Sequence, residues 1–163
     1  MTRTATIVLL LALATSAAPA RAQEPAPFTV GAVTARAGEK ASGYIEVPAG
    51  VDSATRIPVT VVRGARSGPT LALIAGTHGY ETQPIIALQR VRAQVDPAHL
   101  AGTLILVHAA NPPSYYGRTI YYSPVDGKNL NRVYPGDANG TVSQRIAKVI
   151  TTEIIDRCDY LVD

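Results

Sequence analysis

His78 and Glu81 stand three residues apart in the stretch Gly76-Thr77-His78-Gly79-Tyr80-Glu81. An imidazole and a carboxylate at that spacing can reach one metal ion. A catalytic zinc site generally takes three protein ligands and keeps one position for water. The pair therefore raises the question of a third ligand. The other two histidines are weaker candidates. His99 follows a predicted helix end and reads as exposed, and His108 ends a predicted strand and reads as a packing residue.

A second cluster lies downstream in Asp126-Gly127-Lys128-Asn129-Leu130-Asn131-Arg132-Val133-Tyr134-Pro135-Gly136. An arginine fork beside an asparagine, as at Asn131-Arg132, suits recognition of a substrate carboxylate. Asn129-Leu130-Asn131-Arg132 also fits a solvated turn. Arg118, in the preceding loop, can aim another guanidinium at the same place. The single cysteine, Cys158, cannot form an internal disulfide. It ends an apolar helical pattern and reads as a buried structural thiol.

The surrounding elements must bring these groups together. Thr70 to Ala75 and Thr103 to Val107 are short apolar runs, the signature of strands buried on both faces. Arg56 to Arg63 is a β-branched strand in which Pro58 points to an edge or a strand start. Phe28 to Val33 and Ala41 to Val47 have weaker strand character. Thr82 to Val95 is predicted helical, with Ile85, Leu88, Val91 and Val95 on one face and Pro84 in the first turn. Thr141 to Gln144 is a capping box opening a helix whose apolar face is Val142, Ile146, Val149, Ile150 and Ile154. Between them, residues 109–139 read as one long loop rich in Pro, Gly and Tyr. Asp159 to Asp163 begins another strand. This order implies an α/β fold: three-layer α/β/α around a mixed, mainly parallel sheet with antiparallel strands added at one edge. Sites in such sheets form beyond the carboxyl ends of the strands, so the segments after residues 75, 107 and 163 are expected to share a crevice.

Residues 1–22 read as a secretory signal peptide. Arg3 supplies the basic start, Ile7 to Ala14 the apolar run, and Ala20-Arg21-Ala22 the cleavage pattern. Residues 23–27 are expected to be a disordered leader and 28–163 the N-terminal part of a catalytic domain. An exported protein, periplasmic or secreted, follows. The formal charge of +3 includes Arg3 and Arg21, and without them the balance is near neutral. Such a balance offers nothing to attract nucleic acid or an anionic membrane.

Taken in order, the motifs resemble the succinylglutamate desuccinylase/aspartoacylase family, within the zinc carboxypeptidase-like superfamily. The resemblance runs over about two-thirds of the chain and rests on Gly76 to Glu81, Asn111-Pro112, Arg118, and Asp126 to Gly136. It implies one zinc ion with His78 and Glu81 as ligands. It implies that Arg118 polarises the scissile carbonyl or holds substrate, and that Asn131 and Arg132 grip a carboxylate. The implied reaction is hydrolysis of an amide in an N-acyl amino acid or small peptide, with zinc activating water and a Glu as general base. Carboxypeptidase action, including on cell-wall peptides, is the neighbouring alternative, and a non-catalytic carboxylate-binding module is the alternative outside enzymes. Tyr80 stands where the family pattern has Asn, and Tyr134 where it has Phe. The family's last ligand, a His in Asp-Leu-His, would fall just after Asp163, and the general base later still. The 163 residues alone are therefore expected to bind zinc weakly and hydrolyse little.

Overall fold

The computed structural model describes residues 24–163. The predicted signal peptide lies outside them. Residues 24–27 have no regular secondary structure, but the Ala26 carbonyl accepts a hydrogen bond from Arg63 Nε at 3.0 Å. The expected leader is thus tied to the body at that point.

The strands are β1 (Phe28–Val30), β2 (Val33–Ala35), β3 (Glu39–Val47), β4 (Thr55–Arg63), β5 (Arg66–Ile74), β6 (Ala101–Val107) and β7 (Tyr160–Val162). The helices are α1 (Thr82–Gln94), α2 (Pro112–Gly117) and α3 (Val142–Glu153), with short 3-10 turns at Leu130–Arg132 and Ile155–Arg157. β1 and β2 form a separate antiparallel hairpin. The remaining five strands lie in the order β3-β4-β6-β5-β7. β3 pairs with β4 and β4 with β6 antiparallel, whereas β5 pairs with β6 and with β7 parallel. The sheet is mixed, with the antiparallel strands gathered at one edge.

Alternation along the strands sends side chains to two cores, as the period of two in a pleated strand requires. Ile45, Val47, Ile57, Val59, Val61, Ile105 and Val107 face α3, whose Val142, Ile146, Ala147 and Ile150 complete one buried cluster. Val62, Leu104 and Leu106 face α1, where Leu88, Ile85 and Val91 meet them. This is the three-layer α/β/α arrangement. Pro58 departs from expectation, since it lies inside β4, which is neither an edge strand nor begins there. β4 runs past the end of its ladder with β6, which starts at Val59, and Pro58 sits in that overhang.

The segment read as one long loop holds α2 and the Leu130–Arg132 turn. α2 is short, opened by Asn111 and with Pro at its start, so helical periodicity had too few residues to show.

Candidate functional site

His78 and Glu81 sit between β5 and α1. Glu81 Oε2 accepts from the His78 backbone N–H at 3.0 Å, which folds the carboxylate back over the turn. Its Oε1 then faces His78 Nδ1 at 2.7 Å. The imidazole is mostly buried, with 15% of its side chain exposed, against 44% for Glu81. On the far side of the ring, Nε2 lies 3.1 Å from Asn129 Oδ1. That same oxygen accepts from the Asn131 backbone N–H at 2.9 Å. A backbone N–H can only donate, so the Asn129 atom facing His78 is an oxygen and His78 Nε2 must carry a hydrogen. A neutral ring then presents the Nδ1 lone pair to a carboxylate oxygen at 2.7 Å. Two acceptors that close need a proton or a metal cation between them. The pair therefore fits a metal site in donor type and orientation. Among the described residues no group of three or more His, Cys, Asp or Glu side chains gathers around one point.

Three strand ends converge here, as the topology implies. After β6, Ala110 N and Asn111 N donate to the Ala75 and Gly76 carbonyls at 2.8 and 3.0 Å. Asn111 is fully buried; its Nδ2 donates to the Thr77 carbonyl at 3.3 Å and its Oδ1 caps Ser114 N at 3.3 Å. After β7, Asp163 Oδ1 accepts from Thr77 Oγ1 at 3.0 Å. Gly79 is the contact between this turn and α2. A Cβ there would overlap the carbonyl oxygens of Ser114 and Thr119.

Beside His78 lies a cleft of 580 Å³ lined by Tyr121, Tyr122, Lys128, Asn129, Arg132 and Val133. It holds two cationic side chains and no carboxylate. Tyr121 meets the His78 ring edge-on, with centroids 5.3 Å apart. The turn carrying Asn131 and Arg132 is fixed from three sides. Leu130 is fully buried in the α3-side core. Asp126 accepts from Ser143 N and Ser143 Oγ, both at 2.9 Å, and from Lys128 N at 3.2 Å. Lys128 Nζ donates to Gln144 Oε1 at 2.8 Å. Burial pushes the Asp126 carboxyl upward, but these hydrogen bonds outweigh it and hold the group below its ordinary value. Gly136 closes the segment at φ +87°, where a Cβ would overlap the α3 backbone at Lys148 N and Gln144 O.

The structure brings His78 and Glu81 together and sets Arg132 on the adjoining cleft. Asn131 is exposed and enters the network through its backbone N–H. Arg118 is exposed at the C-cap of α2 with φ +51°, one residue before Thr119, whose carbonyl touches Gly79; it does not line the cleft. His99 pairs on the surface with Asp96 at 2.8 Å, and His108 is buried with Nε2 2.8 Å from Thr60 Oγ1. Burial and the nearby Arg92 charge lower the His108 pKa to about 4. Cys158 is half-buried, not buried as expected, and that partial burial raises its thiol pKa, in keeping with an inert structural role. The sequence placed Lys128 and Asn129 inside the downstream cluster but gave neither them nor Tyr121 a role in the site. The signal for Asn129 was present, because an asparagine two residues before a turn residue is the pattern in which its side chain takes the i+2 backbone N–H.

Residues 67–163 match the succinylglutamate desuccinylase/aspartoacylase catalytic domain. The chain belongs to this family. It is 36% identical over 146 residues to N-alpha-acetyl-L-2,4-diaminobutyric acid deacetylase of Halomonas elongata, covering 86% of this chain and 42% of that protein. An aspartoacylase family protein from Mesorhizobium loti superposes with a TM-score of 0.71 at 33% identity, covering 84% of this chain and 43% of the other. A metallo-carboxypeptidase from Burkholderia cenocepacia shares the fold, with a TM-score of 0.54 at 18% identity over 74% of this chain and 35% of its own. The chain spans less than half the length of each of these proteins.

Proposed function

We propose that this chain is part of an exported, zinc-dependent hydrolase that cleaves the amide of an N-acyl amino acid, or of a small peptide, bearing a free carboxylate. The observation that carries the reading is the opposed His78 Nδ1 and Glu81 Oε1 beside a cleft with two cations and no anion. His78 Nδ1 and Glu81 would hold the zinc, which supplies Lewis acidity and an activated water. Arg132 attracts the substrate carboxylate into the cleft, with Asn131 at its rim and Tyr121 and Tyr122 along its wall. Arg118, exposed on the turn beside Gly79, would polarise the scissile carbonyl or hold the substrate, as the family resemblance implies. The related deacetylase supports an N-acyl amino acid over a longer peptide, and the signal-peptide pattern supports export. Two protein ligands hold zinc weakly, so the 163 residues alone are proposed to hydrolyse little.

The test is amine release by the zinc-loaded full-length protein from N-acetylaspartate, N-succinylglutamate, N-acetyl-2,4-diaminobutyrate and a C-terminally unblocked dipeptide. Turnover of an N-acyl amino acid that chelation abolishes supports the reading, and turnover of the dipeptide alone would favour a carboxypeptidase. Binding of these carboxylates without any cleavage would favour a binding module and overturn the hydrolase.

A further inference from the structure

We propose that a cavity across α2 from His78 is a second ligand site, and that it takes a free α-amino acid. The cavity measures 860 Å³, within the range of small-molecule pockets. It lies on the α1 face of the sheet and shares no lining residue with the cleft beside His78. β3 and β4 form its floor, α1 supplies Ile85, and α2 supplies Pro112, Pro113, Tyr115 and Tyr116. α2 stands between the two places, since its Ser114 carbonyl packs on the Gly79 turn. Charge defines the ligand. Glu46 and Arg56 are directly opposed on β3 and β4, so both project from one face of the sheet, and both line this cavity. Among the described residues neither forms an ion pair. The Arg56 guanidinium lies instead over the Tyr44 ring, 4.3 Å from its centroid. A carboxylate and a guanidinium side by side and unpaired suit a ligand that bears both signs on one carbon. An α-amino acid does so, with its ammonium toward Glu46 and its carboxylate toward Arg56. An N-acyl amino acid has lost the ammonium. The site would thus accept the product class of the proposed hydrolysis and refuse its substrate class. That link rests on the proposed function, whereas the cavity and its charges do not.

His108 adds a polar contact for the amino-acid side chain. Its ring lines the cavity and is 6% exposed. Nε2 is held by Thr60 Oγ1 at 2.8 Å, while Nδ1 is buried with no hydrogen-bond partner. Burial keeps the ring neutral at neutral pH, so it offers a hydrogen bond and no charge. A buried polar atom left unpaired is costly, and a ligand group seated against the ring reaches it through a small turn of the imidazole or a bridging water. The distance is set by β4. His108 N donates to the Pro58 carbonyl at 2.9 Å, and Pro58 follows Arg56 on the same face. One such two-residue step is about 7 Å, which a side chain of glutamate length spans. Amino acids with a polar end, such as glutamate or 2,4-diaminobutyrate, fit the cavity better than apolar ones of equal length.

The test titrates the zinc-loaded full-length protein with glutamate, 2,4-diaminobutyrate, norvaline and N-acetylglutamate, following the His108 ring resonances by NMR. Saturable shifts are expected with the two polar amino acids. N-acetylglutamate should bind this site at least about 10-fold more weakly than glutamate, because a charge-assisted contact is lost. By calorimetry, Glu46→Gln and Arg56→Gln should each weaken glutamate binding about 10-fold. Both positions are exposed, so Tm and initial rates of turnover should not change. His108→Phe keeps a ring and removes its nitrogens, and should weaken glutamate about 3–10-fold, to the level of norvaline. His78→Ala removes binding at the metal, and the His108 shifts with glutamate should persist in it. His108 resonances unmoved by millimolar amino acid would mean that water alone fills the cavity, and would overturn the proposal. Equal affinity for N-acetylglutamate, or loss of the shifts in His78→Ala, would overturn it too. Absence of amide hydrolysis with the His108 shifts intact would sink the functional reading and leave the second site standing.

Discussion

A single methyl group at Gly79 is the sharpest test of how the turn and α2 hold each other. Gly79 does not adopt a left-handed backbone, so alanine meets no torsional penalty there. Where space allows, Gly→Ala stabilises a protein by about 0.4–1 kcal/mol by narrowing the unfolded ensemble. Here the new Cβ would overlap two backbone carbonyl oxygens, those of Ser114 and Thr119, and lie 2.5 Å from the Ser114 carbonyl carbon. No rotamer change moves a backbone oxygen, so either α2 or the His78 turn must shift. Overpacking of this type costs about 1–3 kcal/mol, and an obstacle made of backbone puts Gly79→Ala near 3 kcal/mol. For a domain of this size that is a fall in Tm of roughly 6–12 °C. His78 and Glu81 flank the displaced residue, and metal–ligand distances tolerate only about 0.2 Å of change. Zinc affinity should therefore drop together with stability. Gly127→Ala is the control, since it has φ +66° and nothing within 4 Å; it carries the backbone penalty alone, about 1–2 kcal/mol, and should leave zinc affinity intact. Thermal unfolding and chelator competition on both variants decide the matter. An unchanged or raised Tm for Gly79→Ala would refute the close packing of the turn on α2.

His78→Ala in the full-length protein should abolish zinc binding and amide hydrolysis together, and turnover retained at the wild-type rate would refute its assignment as a ligand. Leu130→Ala removes a fully buried side chain and should cost about 2–5 kcal/mol by urea unfolding, with weaker carboxylate binding because the turn bearing Asn131 and Arg132 loses its anchor. His108 has a folded-state pKa of about 4 against an ordinary value near 6.5, so the folded state binds fewer protons. Its contribution is complete above the ordinary value and drains as pH falls toward 4, at about 1.4 kcal/mol per unit and up to about 3 kcal/mol in all. His108→Gln should remove that part of the acid limb in urea titrations at pH values on either side of the window, and an identical pH dependence in the two proteins would count against it.

The central strands were legible as unbroken apolar or β-branched runs, and α1 and α3 as apolar faces at helical spacing. The His78–Glu81 pair was legible as a spacing. The parts that escaped have no period. α2 is too short to repeat, and its start depends on the Asn111 side chain reaching both Thr77 O and Ser114 N, contacts 34 and 3 residues away in sequence. The placement of Pro58 followed from an uneven register between neighbouring strands, which no single strand records. Asn129 escaped because its bond to His78 spans 51 residues. Arg118 was legible as a residue type, and its left-handed backbone at the end of α2 was not.

The long-range bonds also explain why residues with no evident chemistry recur through these motifs. Asn111-Pro112 follows the strand beside β5, and its asparagine spends all its polar atoms on Thr77 O and the α2 N-terminus. Asp126 opens the downstream motif without touching the cleft and joins it to the first turn of α3, where a carboxylate is favoured by the helix dipole. Gly136 ends that motif where α3 leaves no room for a side chain. Each of these residues ties a loop to a rigid element, and His78, Glu81 and Arg132 are presented by the loops so tied. In the proposed reaction a metal and a substrate carboxylate would have to be held at a fixed separation, and the fastening of the β5 turn, α2 and the N-terminus of α3 to one another would set it. Substitution at Asn111 or Asp126 should therefore lower turnover of the full-length protein with little effect on which acyl amino acid it prefers, whereas substitution at Arg132 or Lys128 should change the preference. A changed substrate ranking in Asp126→Asn would show that the fastening residues act on substrate directly.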